Sequence, residues 1–167
     1  MLRATSVILP PDERIAHAAS TITLAREDRY RRRVAMTADD GKAFLLDLTE
    51  AAYLPNGTGL LLEDGSIVRV CAANELLLKI TAPDAQTLAR LAWHIGNRHT
   101  PAEITEAAIY IQPDHVLAEM VRGLGGGVED VSRPFEPEGG AYGGHGPLER
   151  GHHHGHAAHH HDHSHDH

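Results

Sequence analysis

The chain has 167 residues, of which 41% are hydrophobic and 23% charged, as is usual for a soluble globular protein with one ordinary domain or two small ones. Its formal net charge of −8 argues against nucleic acid as the main partner, because a phosphate-binding surface needs an excess of basic side chains. No apolar run reaches the roughly 18 residues of a membrane helix and the N-terminus lacks the pattern of a signal peptide, so we expect a cytoplasmic protein with no membrane contact.

The first part of the chain, residues 1–73, is predicted to form a small all-β domain. Short apolar or alternating runs such as STITLA, RRVAMT and SIVRVCA follow one another and are separated by turn residues. Asp64-Gly65 between LLLE and SIVRV predicts a two-residue hairpin, because such a turn requires positive φ angles. Several short strands at this spacing favour a small sandwich or barrel.

The second part, residues 74–135, alternates between strand and helix patterns. The strand ELLLKIT is followed by a helix that Pro83 and Asp84 open and that Gly96 ends as a C-cap. Two short strands come next, then a helix that begins at Asp114, and finally a strand in VEDVSRPF. The order β-α-β-β-α-β predicts a ferredoxin-like domain, so the chain as a whole is expected to belong to the α+β class.

The third part, residues 136–167, is rich in Gly, Pro, His and Asp and has almost nothing to bury, which predicts a disordered tail. Ten of the last 17 residues are histidine, and their interruption by Gly, Ala, Asp and Ser indicates a native tail rather than an expression tag. Neutral imidazoles on a flexible chain bind borderline transition metals. The tail therefore predicts binding of Ni²⁺, Cu²⁺ or Zn²⁺ without choosing among them.

Four histidines lie outside the tail: His17, His94, His99 and His115. We expect His17 and His94 to be ordinary surface or partly packed residues. His99 lies in the polar loop GNRHT, where one imidazole would bind a metal weakly but two copies across a two-fold axis could share it, so a ligand and a plain surface residue both remain open. His115 lies in the first turn of the second helix, where the helix dipole keeps its ring neutral and able to bind a metal, although a surface histidine is equally favoured.

Other charged or reactive side chains give weaker signals. The run DRYRRR, with Arg29 and Arg31–33, is typical of a solvated edge strand, and a docking surface for an acidic partner is the less favoured alternative. The single Cys71 is expected to be a buried small hydrophobe and excludes both an intrachain disulfide and a Cys-based zinc site. Because H-E-x-x-H, G-x-S-x-G and a P-loop are missing, we expect neither an enzyme nor a nucleotide hydrolase.

Three segments, WHIGNRHTPAEI, PDHVLAEMVRGLG and PFEPEGGAY, followed by a histidine-rich tail, resemble the UreE family of urease accessory proteins, which are nickel metallochaperones. The similarity extends over nearly the whole chain, and GNRH and DHVL at this separation are its most specific part. It implies an N-terminal β domain, sometimes called peptide-binding, and a ferredoxin-like metal-binding domain through which the protein forms a homodimer. It also implies delivery of Ni²⁺ to the urease apoprotein complex, together with an accessory GTPase.

The resemblance further implies which residues bind the metal. His99, from GNRH, would meet its symmetry mate at the dimer interface and hold one Ni²⁺ ion. His115, from DHVL, forms a secondary site in some relatives with a histidine two residues earlier, but this chain has Pro113 there, which leaves only ligands from the tail. The tail histidines nearest the folded part would complete the interface site: His145, His152, His153 and His154. Zn²⁺ or Cu²⁺ could replace Ni²⁺ in vitro.

Three other functions remain open on the residues alone. A metal buffer or storage protein would bind Ni²⁺, Zn²⁺ or Cu²⁺ through the tail without specific delivery. A pure interaction module would use the β domain to bind a peptide. A metalloenzyme is least favoured, because only four histidines lie outside residues 145–167 and no carboxylate–histidine group with catalytic spacing is visible.

Overall fold

The computed structural model describes residues 1–139 and contains two sheets that follow each other along the chain. Residues 2–72 supply a six-stranded sheet, and residues 74–134 supply a four-stranded one. The predicted disorder and metal binding of the tail beyond residue 139 lie outside the described residues. Within residues 1–139, no helix is both long enough and apolar enough to cross a membrane.

The first sheet mixes parallel and antiparallel strands in the order β2-β6-β5-β1-β4-β3. The strands are β1 Leu2–Ile8, β2 Ser20–Leu24, β3 Tyr30–Thr37, β4 Ala43–Tyr53, β5 Gly59–Leu62 and β6 Ile67–Ala72. β1 pairs with β4 in parallel, as β2 does with β6, while the remaining pairs are antiparallel. A one-turn helix, α1 (Glu13–Ala16), packs Ile15 against Ile8 and Ile67 of the sheet.

Alternating side chains of these strands form an aliphatic core. Its fully buried members include Ala4, Phe44, Leu46, Leu60 and Val70. The predicted sandwich or barrel is a single sheet whose two edge strands approach each other. Asp39, which follows β3, accepts hydrogen bonds from Thr21 Oγ1 at 2.7 Å and from the Thr23 N–H at 3.0 Å, both in β2. The bond from the Thr21 hydroxyl is the main cause of the lowered pKa of Asp39.

The hairpin between β5 and β6 has a three-residue loop, so the predicted two-residue loop is wrong. Leu62 and Ser66 close the loop through a bond of 2.9 Å from the Leu62 N–H to the Ser66 carbonyl. Gly65 has a φ of +80°, and the Asp64 carboxylate accepts a bond of 3.0 Å from the Ser66 N–H. A turn followed by a left-handed glycine is the usual three-residue hairpin. The Asp-Gly pair therefore locates the hairpin but does not fix its length.

Two side chains of this domain differ from their predicted environments. Arg29, the first arginine of DRYRRR, is fully buried rather than solvated, because its guanidinium contacts residues that follow the second sheet. Arg31–33 lie on β3, which is an edge strand as predicted. Cys71 is only partly buried, because it follows the fully buried Val70 in β6 and so lies on the outward side of the strand.

The second sheet is antiparallel and has the order β10-β7-β9-β8. Its strands are β7 Asn74–Thr81, β8 Ala102–Ile104, β9 Ile109–Ile111 and β10 Gly127–Pro134. The helices α2 (Ala85–Gly96) and α3 (His115–Gly123) follow β7 and β9, so the predicted β-α-β-β-α-β order is confirmed. The apolar stripes of both helices pack in one core: Leu88, Leu91, Ala92 and Ile95 of α2, Leu117, Met120 and Val121 of α3, and Leu124 at the C-cap of α3.

Both helices begin at a capping aspartate. Asp84 accepts a bond of 2.7 Å from the Thr87 N–H, and Asp114 caps α3 in the same way; each such cap stabilises a helix by about 1 kcal/mol. Pro83, predicted to be in the first turn, precedes the cap. The predicted C-cap at Gly96 is also wrong, because Gly96 is the last residue of α2 and the left-handed backbone conformation occurs later in the loop.

Residues 136–138, predicted to belong to the disordered tail, are bonded to both domains. The Glu136 carboxylate pairs with Arg29 of the first domain, and the preceding Phe135 is fully buried. The Glu138 N–H donates to the Ala102 carbonyl in β8 at 2.8 Å. No local pattern indicates these contacts, because Arg29 and Glu136 are 107 residues apart in the chain.

Candidate metal centre

The second sheet brings His99 and His115 to the same end of the domain. His99 lies three residues before β8 begins at Ala102, and His115 lies four residues after β9 ends at Ile111. Ala102 and Ile111 are directly paired in the ladder between these strands. The loop after α2 and the first turn of α3 therefore lie at the same end of the sheet.

His99 is exposed and has a left-handed backbone conformation, with a φ of 53°. Its N–H donates to the Gly96 carbonyl at 3.0 Å, which extends the last turn of α2. This conformation costs a residue with a side chain roughly 1–2 kcal/mol, and such outliers are concentrated at functional sites. Among residues 1–139 the imidazole has no hydrogen-bond partner, so both ring nitrogens are available to a metal.

The described residues do not assemble a complete metal site. Within residues 1–139 no group of three or more His, Cys, Asp or Glu side chains is placed to hold a metal ion. Closed transition-metal sites in proteins use about four ligands. A metal at His99 would therefore need ligands from a second copy of the chain, from a partner or from the tail. The tail candidates His145, His152, His153 and His154 lie outside the described residues.

His115 is the first residue of α3, and its side chain is exposed. The neighbouring carboxylates already have partners. Asp114 accepts from the Leu117 N–H at 2.9 Å, and Glu119 pairs with Arg122 at 2.8 Å. The structure thus brings His115 to the end that carries His99, and the two carboxylates nearest to it in α3 are already bonded to other groups.

Two large apolar side chains that are near the two histidines in the chain are exposed. Trp93 on α2 is 66% exposed, and Val116, next to His115, is 60% exposed. The Trp93 ring meets the partly buried His94 edge-on, with 5.0 Å between the ring centroids. Aromatic side chains of this kind are enriched in protein interfaces. Trp93 is not among the predicted site residues, although its place outside the buried stripe of α2 is a signal that it faces solvent.

A charged and aromatic network joins the two domains at the same end of the second sheet. The Arg29 guanidinium donates to the Glu136 carboxylate and to the Phe135 carbonyl. The guanidinium carbon of Arg29 lies 5.2 Å from the centre of the Tyr53 ring, and burial raises the pKa of Tyr53 to about 12. The Arg26 N–H adds a bond of 2.9 Å to Glu75 in β7. Because a buried charge without a counter-charge is strongly destabilising, Glu136 is essential to this junction.

Comparison with known proteins gives the class of protein. Residues 5–73 match the family described as UreE urease accessory protein, N-terminal domain, and residues 75–167 match the corresponding C-terminal domain. A mostly-β domain followed by an α/β domain, matched in this order, defines an accessory protein of urease.

Individual relatives are similar along most of their length. The urease accessory protein UreE of Azorhizobium caulinodans is 54% identical over 159 residues, which cover 92% of this chain and 76% of the relative. That of Chelativorans sp. (strain BNC1) is 50% identical over 156 residues, which cover 93% of this chain and 96% of the relative. The chain belongs to the UreE family of urease accessory proteins.

Proposed function

We propose that this protein is a metallochaperone that delivers Ni²⁺ to apo-urease while the urease active site is assembled. The observation that carries the proposal is His99, an exposed imidazole on a left-handed backbone with too few neighbouring ligands in residues 1–139 to hold a metal alone. Such a residue suits a site that is completed by other chains and releases its metal. The resemblance to nickel metallochaperones supports Ni²⁺ as the cargo.

The second domain is proposed to form a homodimer in which two copies of His99 share one Ni²⁺ ion. At a two-fold axis a residue meets its own copy, so one histidine per chain supplies two ligands. Trp93 and Val116 support this arrangement, because they expose apolar surface at the end of the domain that carries His99. Interfaces are enriched in such aromatic side chains.

Transfer is proposed to occur by exchange of ligands. Two imidazoles leave coordination positions of the metal open, and an incomplete site releases its ion more readily than a closed tetrahedral one. Tail histidines can fill these positions first, and ligands of the receiving protein can replace them afterwards. The proposed tail ligands are His145, His152, His153 and His154. His115 is proposed as an additional ligand that works with the tail.

The chain is proposed to divide its work among three parts. Residues 1–73 form a domain for protein docking, residues 74–135 form the ferredoxin-like domain for dimerisation and metal binding, and residues 136–167 form the metal-collecting tail. The proposed partners are the urease apoprotein complex and its accessory GTPase, in the cytoplasm. The protein supplies the ion and catalyses no reaction.

Nickel titration by calorimetry tests this function on the full chain, on a chain that ends at residue 150 and on His99→Ala. We expect the shortened chain to keep one tight site per dimer and His99→Ala to lose it. His17→Ala is the matched control, because His17 is exposed at the end of α1 in the other domain. Tight binding by His99→Ala would refute the proposed site, and loss of all binding with the tail would favour a Ni²⁺, Zn²⁺ or Cu²⁺ buffer.

A further inference from the structure

The segment after β10 forms a strap, residues 135–138, that runs between the two domains. β10 and β8 are opposite edges of the second sheet, yet Arg133 at the end of β10 pairs with Glu103 of β8 at 2.6 Å. The guanidinium of Arg133 crosses the face of the sheet above the Tyr110 ring, at 3.9 Å from its centre. Glu103 then accepts a bond of 2.9 Å from the Glu136 N–H. The strap therefore carries the chain from one edge of the sheet to the other.

The first domain holds this strap from the opposite side. Arg29, fully buried, donates to the Glu136 carboxylate and to the Phe135 carbonyl. The Asn56 N–H donates to the same carboxylate at 2.9 Å. Arg26 lies above the Phe135 ring, at 5.9 Å from its centre. Glu136 thus bonds to the first domain through its carboxylate and to Glu103 of the second domain through its backbone N–H.

The strap ends beside the candidate metal site. Glu138 bonds to β8 twice, through its N–H to the Ala102 carbonyl at 2.8 Å and through its carboxylate to the Ile104 N–H at 3.4 Å. His99 is three residues from Ala102. Three residues of extended chain span roughly 11 Å at most. The tail therefore starts close to His99, and His145, seven residues after Glu138, is within reach of that loop.

We propose that Arg29 and Glu136 are positioning residues whose ion pair holds the strap between the domains and so starts the histidine-rich tail beside His99. This inference rests on the proposed role of His99 as the interface ligand. Freeing the strap as far back as Arg133 lengthens the chain between its last anchored residue and His145 from seven residues to twelve. Effective concentration falls with about the −3/2 power of linker length, so the gain in nickel affinity from His145 should fall about twofold or more.

The first measurement is amide hydrogen exchange in the full chain, with Glu136→Gln against the unsubstituted protein. Loss of the carboxylate charge should free the strap, so the N–H groups of residues 136 and 138 should exchange at least about tenfold faster. Glu129→Gln is the matched control, because it makes the same charge change at an exposed position of β10. Glu138→Pro is the second variant, since it removes the N–H that bonds to Ala102 without touching the buried Arg29.

The second measurement compares nickel affinities of a chain that ends at residue 139 and one that ends at residue 146, which retains His145. Both chains keep every described contact. We expect Glu136→Gln to reduce about twofold the gain in nickel affinity that His145 provides. The nickel affinity of the shorter chain should not change. Unchanged exchange, or faster exchange with an unchanged gain, would overturn the positioning role. Absence of a tight site from both unsubstituted chains would instead refute His99 as the site, and the exchange measurement would still decide whether the ion pair holds the strap.

Discussion

At the scale of single residues, the left-handed backbone conformation of His99 is unfavourable for a residue with a side chain. Its φ of 53° suits glycine or asparagine, but the position carries an imidazole that is exposed and makes no hydrogen bond within residues 1–139. Neither burial nor a structural bond compensates the conformational cost of roughly 1–2 kcal/mol. Stability alone would favour a different residue here, which is the pattern expected where a side chain serves a ligand.

This unfavourable conformation predicts that His99→Gly separates folding from metal binding. Glycine adopts the left-handed conformation without a steric cost, so the free energy of unfolding should stay the same or rise by up to about 1 kcal/mol. The same variant should lose the tight nickel site. Urea denaturation and nickel titration on one preparation measure both properties. A clear fall in stability would show that the imidazole makes a structural contact, contrary to its exposed position.

At the scale of elements, periodicity predicted the strands and helices well because each buries one face locally. The stripe that contains Leu91 and Ile95 identified α2, and the capping residue Asp114 marked the start of α3. The length of the hairpin loop between β5 and β6 was harder to predict. The bond between Asp64 and Ser66 accompanies a longer loop than the Asp-Gly pair alone suggests. The candidate site was only partly predictable, because the position of His99 depends on strand pairing between residues far apart in the chain.

The connection from α3 to β10 yields a prediction from two glycines. A Cβ at Gly126 would lie 2.7 Å from Val121 Cγ1 and 2.8 Å from Leu91 Cδ1, whereas a Cβ at Gly123 would meet nothing within 4 Å. Gly126→Ala should therefore lower the free energy of unfolding by about 1–3 kcal/mol through overpacking. Gly123→Ala, in the last turn of α3, should be neutral or stabilising by up to about 1 kcal/mol. Chemical denaturation measures both effects, and equal effects of the two substitutions would contradict the close packing of Gly126 against Val121 and Leu91.

At the scale of the whole molecule, the two domains have different roles: the first holds the strap, and the second carries the candidate metal ligand His99. The first sheet encloses its own core and holds the strap through Arg29, while the second places an exposed histidine, an apolar surface and the start of the tail at one end. Nothing in residues 1–139 saturates a metal there. If two chains share one ion through His99, as proposed, metal affinity and self-association should be linked.

That linkage can be tested at Trp93, the most exposed large apolar side chain near His99. Trp93→Ala should weaken the proposed homodimer by roughly 2 kcal/mol, or about thirtyfold in its dissociation constant, because tryptophans buried in an interface often dominate its binding energy. Sedimentation equilibrium measures the dimer, and nickel titration of dilute protein should show a parallel loss of affinity that high protein concentration restores. Leu9→Ala is the matched control, since Leu9 is 55% exposed on the first domain and should leave both properties unchanged. A Trp93→Ala protein that dimerises normally would place the interface on another surface, and one that dimerises weakly but binds nickel tightly would mean that one chain holds the ion alone.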